Sequence, residues 1–351
     1  MPDRGIVERV WYGAGAGASL GRALLTPAAR LFGAIVGARE LLYDAGVLTS
    51  HDTAIPALSV GNLTVGGTGK TPIAAWLARG LADRGARPAV VLRGYGDDEP
   101  LVHRALNPDI PVVTGRDRRV AIERAARDGA DIAVLDDAFQ HRKVQRVADL
   151  VLVNADRWTP RVRLLPAGPW RERLEAIRRA TLIIVTRKTA SDTLVESVHA
   201  ALAHIAATVP RVSVRLAQTE LRRVGVGESA ERLPIGAVAG ASIRAILSIA
   251  DPGAFVRQLE ARGAHVRASI FPDHHAFTAD EVARLAADVD AGTLVVCTLK
   301  DAVKLAPQWP RLAPPLWYVS QQVMVERGVG GLERVLDDAV RARSRTAPTA
   351  G

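Results

Sequence analysis

The sequence predicts an α/β fold of the P-loop NTPase type, in which a parallel sheet carries helices on both faces and a second, smaller α/β domain follows. From Ala54 onward, short apolar runs typical of buried strands alternate with helical segments. Such alternation favours a parallel sheet. The first of these strands ends in a glycine-rich turn that leads directly into a helix, which is the arrangement of a phosphate-binding loop. These two observations together predict the fold class.

The predicted elements follow one another in a regular order. A strand at 54–62 comes first, then the glycine-rich turn, and then a helix from about 71 to 84. Further helices are predicted near 118–128 and at 251–263. The remaining strands are predicted at 86–96, 110–115, 131–139, 148–156, 181–188, 211–221, 245–251, 293–301 and 316–325. The strands and the helix after about residue 210 are sufficient for the second domain.

The composition is that of a folded, basic protein. Apolar residues make up 48% of the 351 residues and charged residues 24%, which is typical of a chain with a hydrophobic core. The net charge of +9 favours an acidic partner, such as nucleic acid, anionic lipid or a phosphorylated substrate. Nucleic acid is not expected, because no zinc-finger spacing or RNA-binding aromatic motif occurs. The single cysteine, Cys297, excludes an internal disulfide and favours a reducing compartment.

The first fifty residues are rich in apolar and small side chains, yet no run reaches the roughly 20 uncharged residues of a membrane span. Acidic residues precede the apolar part, unlike in a cleaved signal peptide. A helical spacing is carried by Leu24, Leu31, Ile35 and Leu42, with arginines to the side. This pattern predicts one or two helices with an apolar face and a basic face. Such helices either pack on their own domain or lie on a membrane surface, and both alternatives stay open.

The segment TVGGTGKT follows the first strand and differs by one residue from the phosphate-loop pattern G-x-x-x-x-G-K-[ST], because Thr64 replaces the first glycine. The remaining glycines still allow backbone N–H groups to face phosphate oxygens. Lys70 is expected to reach the β- and γ-phosphates, and Thr71 to ligate magnesium. We therefore predict that a nucleotide binds to Thr64, Val65, Gly66, Gly67, Thr68, Gly69, Lys70 and Thr71.

A second strand end supplies the acidic residues that such a site needs. In the run IAVLDDAF, four apolar residues precede Asp136 and Asp137, which matches the element that holds magnesium in phosphate-loop proteins. The sequence therefore predicts bound ATP or GTP with Mg²⁺. ATP is favoured, because the guanine-reading pattern of Asn or Thr, then Lys, any residue and Asp does not occur.

Two other classes of protein share parts of these motifs. Membrane-associated partition ATPases carry a signature lysine where this chain has Val65, and this difference argues against a dimeric switch ATPase. The run FPDHH contains the Asp-His-His motif of metal-dependent phosphoesterases. Those enzymes need further Asp and His ligands in an earlier cluster, and no matching Asp-x-Asp strand end precedes the run. Neither class accounts for the whole pattern.

The remaining motifs form a pattern that covers most of the chain. In order they read SVGNLTVGGTGKTP, RGYG, DEP, DDAFQHR, LPAGPWRE, FPDHHAFT and KDAVKL. On these motifs the chain resembles the tetraacyldisaccharide 4′-kinase family, the lipid kinases of lipid A biosynthesis, from the N-terminal helices to about Leu305. The combination is far more specific than any one motif.

The resemblance implies transfer of the γ-phosphate of ATP, with Mg²⁺, to the 4′-hydroxyl of a tetraacylated glucosamine disaccharide 1-phosphate. Because that substrate is anionic and acylated, the resemblance also implies a peripheral enzyme at the anionic, cytoplasmic face of the bacterial inner membrane. We expect a monomer that binds no nucleic acid. The expected parts are membrane-associating helices at 1–50, a P-loop kinase domain at 51–210, a smaller C-terminal α/β domain at 211–340 and a flexible tail at 341–351.

The family's site residues carry over wherever the motifs match. The resemblance makes Asp98 the catalytic base and His274 its support, with Lys70 as the catalytic group on the phosphates. Lys300 falls in a segment expected to face the cleft. The residues expected to line or order the site are Tyr95, Gln140, His141, Arg171, Glu172 and Asp273.

The chain also departs from the family pattern. Relatives usually have a longer segment between RGYG and GDEP, whereas here RGYGDDEP fuses the two. The base is therefore Asp97 or Asp98, and we choose Asp98 because it precedes Glu99 and Pro100. Ala138 stands where the family has glycine, which would penalise a left-handed backbone there. Two alternatives remain open: a kinase of another phosphoglycolipid, and a nucleotide-dependent, membrane-associated regulatory ATPase.

Overall fold

The computed structural model describes residues 6–94, 98–159, 161–225 and 231–346, and within them a 12-stranded sheet lies between helices. The strands are β1 (Ala57–Asn62), β2 (Pro88–Leu92), β3 (Val112–Thr114), β4 (Ile132–Asp136), β5 (Ala148–Asn154), β6 (Leu182–Arg187), β7 (Arg211–Arg223), β8 (Arg232–Pro234), β9 (Ser242–Leu247), β10 (His265–Ile270), β11 (Leu294–Thr298) and β12 (Leu316–Arg327). The α-helices are α1 (Ile6–Tyr12), α2 (Ala16–Asp44), α3 (Lys70–Ala82), α4 (Asp98–Leu106), α5 (Arg118–Arg127), α6 (Asp192–Ile205), α7 (Pro252–Glu260), α8 (Ala279–Ala287), α9 (Leu299–Leu305) and α10 (Val329–Thr346).

Hydrogen bonding orders the strands as β10-β9-β11-β12-β7-β6-β5-β1-β4-β2-β3, and β8 pairs with β7 beside this path. Among the described strands, only the pairs β7–β12 and β7–β8 are antiparallel. The predicted α/β fold with a largely parallel sheet is confirmed. The 13-residue strand β7 pairs with β6 on one side and β12 on the other. The two units that the sequence separates at residue 210 therefore share one sheet.

The central strands are covered on both faces. Every residue of β1, β2, β4 and β6 is buried, and this explains why these runs are mostly apolar instead of alternating. On one face, α3 and α10 pack on the sheet through Leu77 and Leu336. On the other face, α5 packs through Ile122. The sheet thereby holds the ends of β1 and β4 side by side, with Val60 paired to Asp136.

The two N-terminal helices that the sequence predicts are present as α1 and α2. The apolar residues that carried the prediction are exposed: Leu24 is 73%, Leu31 64%, Ile35 60% and Leu42 42% exposed. Only Ala29, Gly33 and Tyr43 of α2 are buried. Within the described residues, no helix is both long and apolar enough to span a bilayer. The structure therefore leaves an apolar stripe of α2 in contact with solvent.

Helix α4 is missing from the sequence prediction, which has a strand at 86–96 and no helix over Asp98–Leu106. The helix begins with Asp98, Glu99 and Pro100. Acidic residues are favoured in the first turn by the helix dipole, and proline is tolerated there because its missing N–H would have no partner. The acidic residues and the proline of DEP are thus the signals of a helix start. This correction matters because α4 carries three residues of the site.

The sequence prediction also lacks α6, α8, α9, α10 and β10. Helix α10 continues to Thr346, which corrects the start of the tail predicted at residue 341. Leu332, Leu336 and Ala339 are buried in the main core at the spacing of one helix face. The arginines of this segment are good helix formers.

Candidate active site

The turn between β1 and α3 has the geometry of a phosphate-binding loop. Gly66 and Gly69 have φ angles of 111° and 88°, which glycine adopts without strain. A Cβ atom at Gly69 would also overlap the side chain of Leu216. Because α3 begins at Lys70, directly after the turn, the first N–H groups of the helix lie beside the loop. An anion is favoured at such a position.

The departure at Thr64 lies where no glycine is needed. Thr64 forms an isolated antiparallel bridge with Trp170, and the N–H of Val65 donates to the carbonyl of Pro169 at 2.7 Å. This end of the loop is therefore extended, and any residue adopts an extended backbone. At the other end, the Thr186 hydroxyl donates to the carbonyl of Thr68 at 3.0 Å, so the loop is fixed from both sides.

Lys70 lies at the loop with its ammonium group held by two polar side chains. Its Nζ is 3.1 Å from Oδ1 of Asn62 and 3.6 Å from Oδ1 of Asp137. The Asn62 amide donates in turn to the carbonyl of Thr64 at 2.6 Å. These contacts place the lysine charge where the loop turns its N–H groups inward, as phosphate binding requires.

The two carboxylate oxygens of Asp136, at the end of β4, have different surroundings. Oδ2 accepts a hydrogen bond from the Thr71 hydroxyl at 3.2 Å and lies 2.9 Å from Nε2 of His103. Oδ1 is buried and has no hydrogen-bond partner among the described residues. Buried polar atoms are normally paired, so an oxygen that the protein leaves unpaired beside a threonine hydroxyl is available to a cation.

The hydroxyl oxygen of Thr71 and the carboxylate oxygens of Asp136 suit Mg²⁺, which takes oxygen ligands. Within the described ranges, no group of three or more His, Cys, Asp and Glu side chains has the geometry to hold a metal ion by itself. That is compatible with Mg²⁺, because it is commonly bound by one or two carboxylates together with the phosphates of a nucleotide. The residues that could hold the ion are Thr71, Asp136 and Asp137.

Asp137 is bound through both oxygens by one arginine. Nη1 of Arg171 donates to Oδ1 at 2.9 Å and to Oδ2 at 3.0 Å. Burial alone would raise the pKa of Asp137, but the charges of Lys70 and Arg171 outweigh it and lower the pKa below its ordinary value. Asp137 also has a left-handed backbone with φ of 53°. The left-handed backbone that the family pattern suggested at Ala138 thus occurs at Asp137 instead, and an aspartate tolerates this conformation better than an alanine.

Asp98 and His274 lie far apart in the sequence and meet at the start of α4. Nδ1 of His274 is 3.0 Å from Oδ2 and 3.1 Å from Oδ1 of Asp98. Asp98 is only 3% exposed, whereas the His274 side chain is 42% exposed. Lys300 joins the group through Nζ, which is 3.0 Å from Oδ1 of Asp273, 3.1 Å from Nε2 of His274 and 3.6 Å from Oδ2 of Asp98. The structure thus brings four of the predicted residues together.

His274 has a left-handed backbone with φ of 61°. Among the described residues, only Asp137 and His274 are non-glycine residues with positive φ, and both belong to this site. Such a conformation costs on the order of 1–3 kcal/mol and persists where the surroundings enforce it. Asp137 lies beside Lys70 of the phosphate loop, and His274 lies beside Asp98.

Gln140 and Glu172 connect the site to α2. Nε2 of Gln140 donates to the backbone of β1 at 2.9 Å, and the backbone carbonyl of Gln140 accepts a hydrogen bond from Arg39 of α2 at 2.8 Å. Burial raises the pKa of Glu172, although Arg179 binds it at 2.6 Å and opposes the shift. Arg179 also contacts Glu40 of α2 at 2.7 Å. Both residues therefore link the segments next to the site to α2, and their role in ordering the site stays a prediction.

His141 is partly buried among basic groups. Burial, and then the charges of Arg118 and Arg146, lower its pKa to about 4. Its carbonyl accepts a hydrogen bond from Nη1 of Arg146 at 2.6 Å. The imidazole is therefore neutral at physiological pH and can act there as a hydrogen-bonding group, not as a cation.

This shift predicts a pH dependence of stability. The unfolded chain binds a proton at His141 below about pH 6.5, whereas the folded protein binds it only near pH 4. The free energy of unfolding should therefore fall as the pH drops through this window. Because the ring is only partly buried, we expect His141→Gln to remove a loss on the order of 1 kcal/mol. Urea unfolding of both proteins at pH 7.5 and pH 4.5 measures the difference, and parallel pH profiles would contradict the prediction.

Sequence reasoning missed three charged or polar residues of the site. Burial, followed by the carboxylates of Asp136 and Asp137, raises the pKa of Glu99. His103 contacts Asp136, and Nη2 of the buried Arg118 donates to the carbonyl of Asp136 at 3.4 Å. Glu99 and His103 are four residues apart and share a helix face. That spacing could have been a signal, but only if α4 had been predicted as a helix. Two other sequence expectations, Tyr95 and the alternative base Asp97, lie outside the described residues.

The phosphate loop, the carboxylates beside it and the buried Asp98 carboxylate paired with His274, on a fold of the P-loop NTPase type, define a phosphate-loop kinase. A protein-family model described as Tetraacyldisaccharide-1-P 4'-kinase matches residues 21–341. The chain belongs to this family.

Individual relatives match over nearly their whole length. The Tetraacyldisaccharide 4'-kinase of Anaeromyxobacter sp. (strain Fw109-5) is 38% identical over 364 residues, which cover 95% of this chain and 96% of that protein. The protein of the same name from Thiobacillus denitrificans is 35% identical and covers 87% of this chain. A crystal structure of LpxK from Aquifex aeolicus in complex with ATP superposes with a TM-score of 0.71 at 27% identity, over 92% of this chain and 99% of that one.

Proposed function

We propose that this protein transfers the γ-phosphate of ATP, with Mg²⁺, to the 4′-hydroxyl of a tetraacyldisaccharide 1-phosphate at the cytoplasmic face of the bacterial inner membrane. The observation that carries the proposal is the Asp98 carboxylate, which is buried and bound to His274. The same helix α4 contacts Asp136 beside the phosphate loop through His103. A kinase needs such a carboxylate for the proton of its acceptor alcohol, whereas an ATPase that acts only as a switch does not.

On the nucleotide side, the protein binds and orients the phosphates. The N–H groups of the loop and the ammonium of Lys70 hold the phosphate oxygens, and Arg171 keeps Asp137 ionised and in place. Thr71 and Asp136 are the residues proposed to hold Mg²⁺. Bound Mg²⁺ supplies positive charge that offsets the charge of the transferring phosphoryl group. Catalysis of this kind depends mainly on position and charge.

On the acceptor side, Asp98 accepts the proton of the 4′-hydroxyl. His274 contacts both carboxylate oxygens through Nδ1, and Lys300 lies against both partners. These contacts fix the orientation of the carboxylate, so the hydroxyl oxygen meets it in one geometry. The ammonium of Lys300 also offers donors to an anionic headgroup.

The experiment that tests this function is phosphate transfer from radiolabelled ATP to tetraacyldisaccharide 1-phosphate in detergent micelles. We expect a labelled lipid, and no label on an analogue whose 4′-position already carries phosphate. Phosphate release that is independent of the acceptor would instead favour the regulatory ATPase. Transfer to another phosphoglycolipid, with none to this acceptor, would favour the alternative kinase.

The membrane proposal rests on the apolar stripe of α2. Leu24, Leu31 and Ile35 are each more than half exposed, and burial of apolar area is the main stabilising term for a helix lying in a bilayer surface. The net charge of +9 favours an anionic leaflet as the partner. Because Arg39 of the same helix binds Gln140, a membrane-bound α2 would hold the site close to the headgroups.

We predict that Leu24→Ser, Leu31→Ser and Ile35→Ser in combination weaken binding to anionic vesicles at least about tenfold. Each change removes apolar area that is worth roughly 1 kcal/mol or more when it enters lipid. Because the three side chains are exposed in the protein, the free energy of unfolding should change little. Vesicle sedimentation measures binding, and Leu312→Ser, at a fully exposed position elsewhere, is the matched control. Equal binding of the triple variant and the control would contradict the role of α2.

A further inference from the structure

His103 is a buried imidazole that contacts the carboxylate proposed to hold Mg²⁺. It lies on α4 and is 1% exposed. Its Nε2 is 2.9 Å from Oδ2 of Asp136, the same oxygen that accepts the Thr71 hydroxyl at 3.2 Å. Nδ1 of the ring has no hydrogen-bond partner among the described residues. Among the described residues, the contact with Asp136 is thus the hydrogen bond that the ring makes.

The chemistry of the pair assigns the hydrogen. An ionised carboxylate only accepts hydrogen bonds, so Nε2 carries the hydrogen and donates it to Oδ2. With donors from both His103 and Thr71 on one oxygen, the carboxylate cannot rotate freely about its last bond. Oδ1 is then the oxygen that remains for a cation, and it is the one that has no partner among the described residues.

The position of His103 on α4 gives this contact a second consequence. The helix begins at Asp98, the carboxylate bound to His274, and His103 follows within the same short helix. The hydrogen bond to Asp136 therefore ties the helix that carries the proposed base to the end of β4. A shift of α4 would change the carboxylates on both sides of the phosphoryl group at once.

We propose that His103 is a positioning residue of the metal site: it holds Oδ2 of Asp136 through its Nε2–H, leaves Oδ1 to the cation, and keeps α4 in register with β4. The inference deepens the proposed function and rests on its nucleotide and Mg²⁺ site, but not on the identity of the lipid acceptor. Residues that orient a metal ligand in this way typically contribute about 10–100-fold to metal affinity.

The test is a titration of Mg²⁺ into the full-length protein saturated with a non-hydrolysable ATP analogue, without lipid. His103→Leu has a similar volume but no donor, and we expect it to weaken Mg²⁺ binding about 10–100-fold. His103→Gln places an amide N–H near the position of Nε2, and it should stay within a few-fold of the wild type. Binding of the analogue in EDTA should be the same for all three proteins, because no metal ligand is then needed.

A second pair of variants keeps the test decisive if His103→Leu does not fold. His103→Asn carries the same amide but places it one bond short, so its Mg²⁺ affinity should be lower than that of His103→Gln. In the transfer assay, His103→Asn should need more Mg²⁺ than His103→Gln for half-maximal activity. This rise should be larger than the fall in kcat at saturating Mg²⁺.

Equal Mg²⁺ affinity of the wild type and His103→Leu, or of the Asn and Gln variants, would overturn the inference and leave His103 a packing residue. Absence of Mg²⁺-dependent nucleotide binding in the wild type would overturn it as well. Failure of the lipid assay alone, with the expected order in the Mg²⁺ titrations, would support His103 and count only against the acceptor.

Discussion

Asp98→Asn is expected to lower kcat for phosphate transfer about 10²–10⁴-fold, the range over which a positioned general base acts. The variant keeps the size of the side chain but removes its ability to take a proton, together with the charge that faces Lys300. Because Lys70, Thr71 and Asp136 are untouched, the KM for ATP should stay close to that of the wild type. Steady-state rates with radiolabelled ATP and saturating lipid measure both quantities.

The fold should tolerate this change. Oδ1 of Asp98 accepts the N–H of Glu99 at 3.0 Å, and asparagine serves equally well at the start of a helix. An asparagine oxygen can also accept the hydrogen bond of His274. A loss of activity with an unchanged melting temperature therefore reports chemistry, not unfolding.

The matched control is Asp97→Asn, the neighbouring carboxylate that the fused RGYGDDEP segment offers as an alternative. We expect near wild-type kcat from this variant. Full activity of Asp98→Asn, together with loss of activity in Asp97→Asn, would move the base by one residue. Loss in neither would show that the acceptor proton goes to another group.

The nucleotide half of this site could be predicted from the sequence because most of its residues lie close together along the chain. A strand, a glycine turn and the dipeptide Lys70–Thr71 occur within one short segment, and their chemistry follows from their order. Asp136 could be placed beside them because parallel strands end at the same edge of a sheet, and the pairing of β1 with β4 confirms this.

The acceptor half could not be derived in this way. Asp98 and His274 are separated by 176 positions, and neither lies in a pattern that fixes its chemistry. Only the family resemblance paired them as base and support. The resemblance in turn gave no sign of His103, which acquires its role from the burial and position of α4.

The N-terminal helices illustrate a different limit. A repeat such as Leu24, Leu31 and Ile35 describes a face, and the same face would suit a protein core or a lipid surface. Sequence periodicity carries no information on what covers the face. In the folded chain these side chains are exposed, so the described core does not cover this face, and the vesicle experiment tests whether lipid covers it.

Lys70→Met is expected to lower kcat/KM about 10²–10³-fold, the usual effect of removing one group that stabilises charge in the transition state. Methionine has a similar length and keeps the apolar packing of the stem, but it carries no charge for the phosphates. Both KM for ATP and kcat should change, because the ammonium binds phosphate in the ground state and in the transition state.

The loss of Lys70 should also change the pKa of Asp137. Lys70 and Arg171 together lower the pKa of Asp137 against the effect of burial, so without the lysine this pKa should rise and Mg²⁺-dependent nucleotide binding should weaken. Lys143→Met, at an exposed lysine outside the loop, is the control for the loss of one positive charge and should bind ATP normally. Tight binding of ATP by Lys70→Met, with unchanged kcat/KM, would mean that the phosphates do not lie in the turn between β1 and α3.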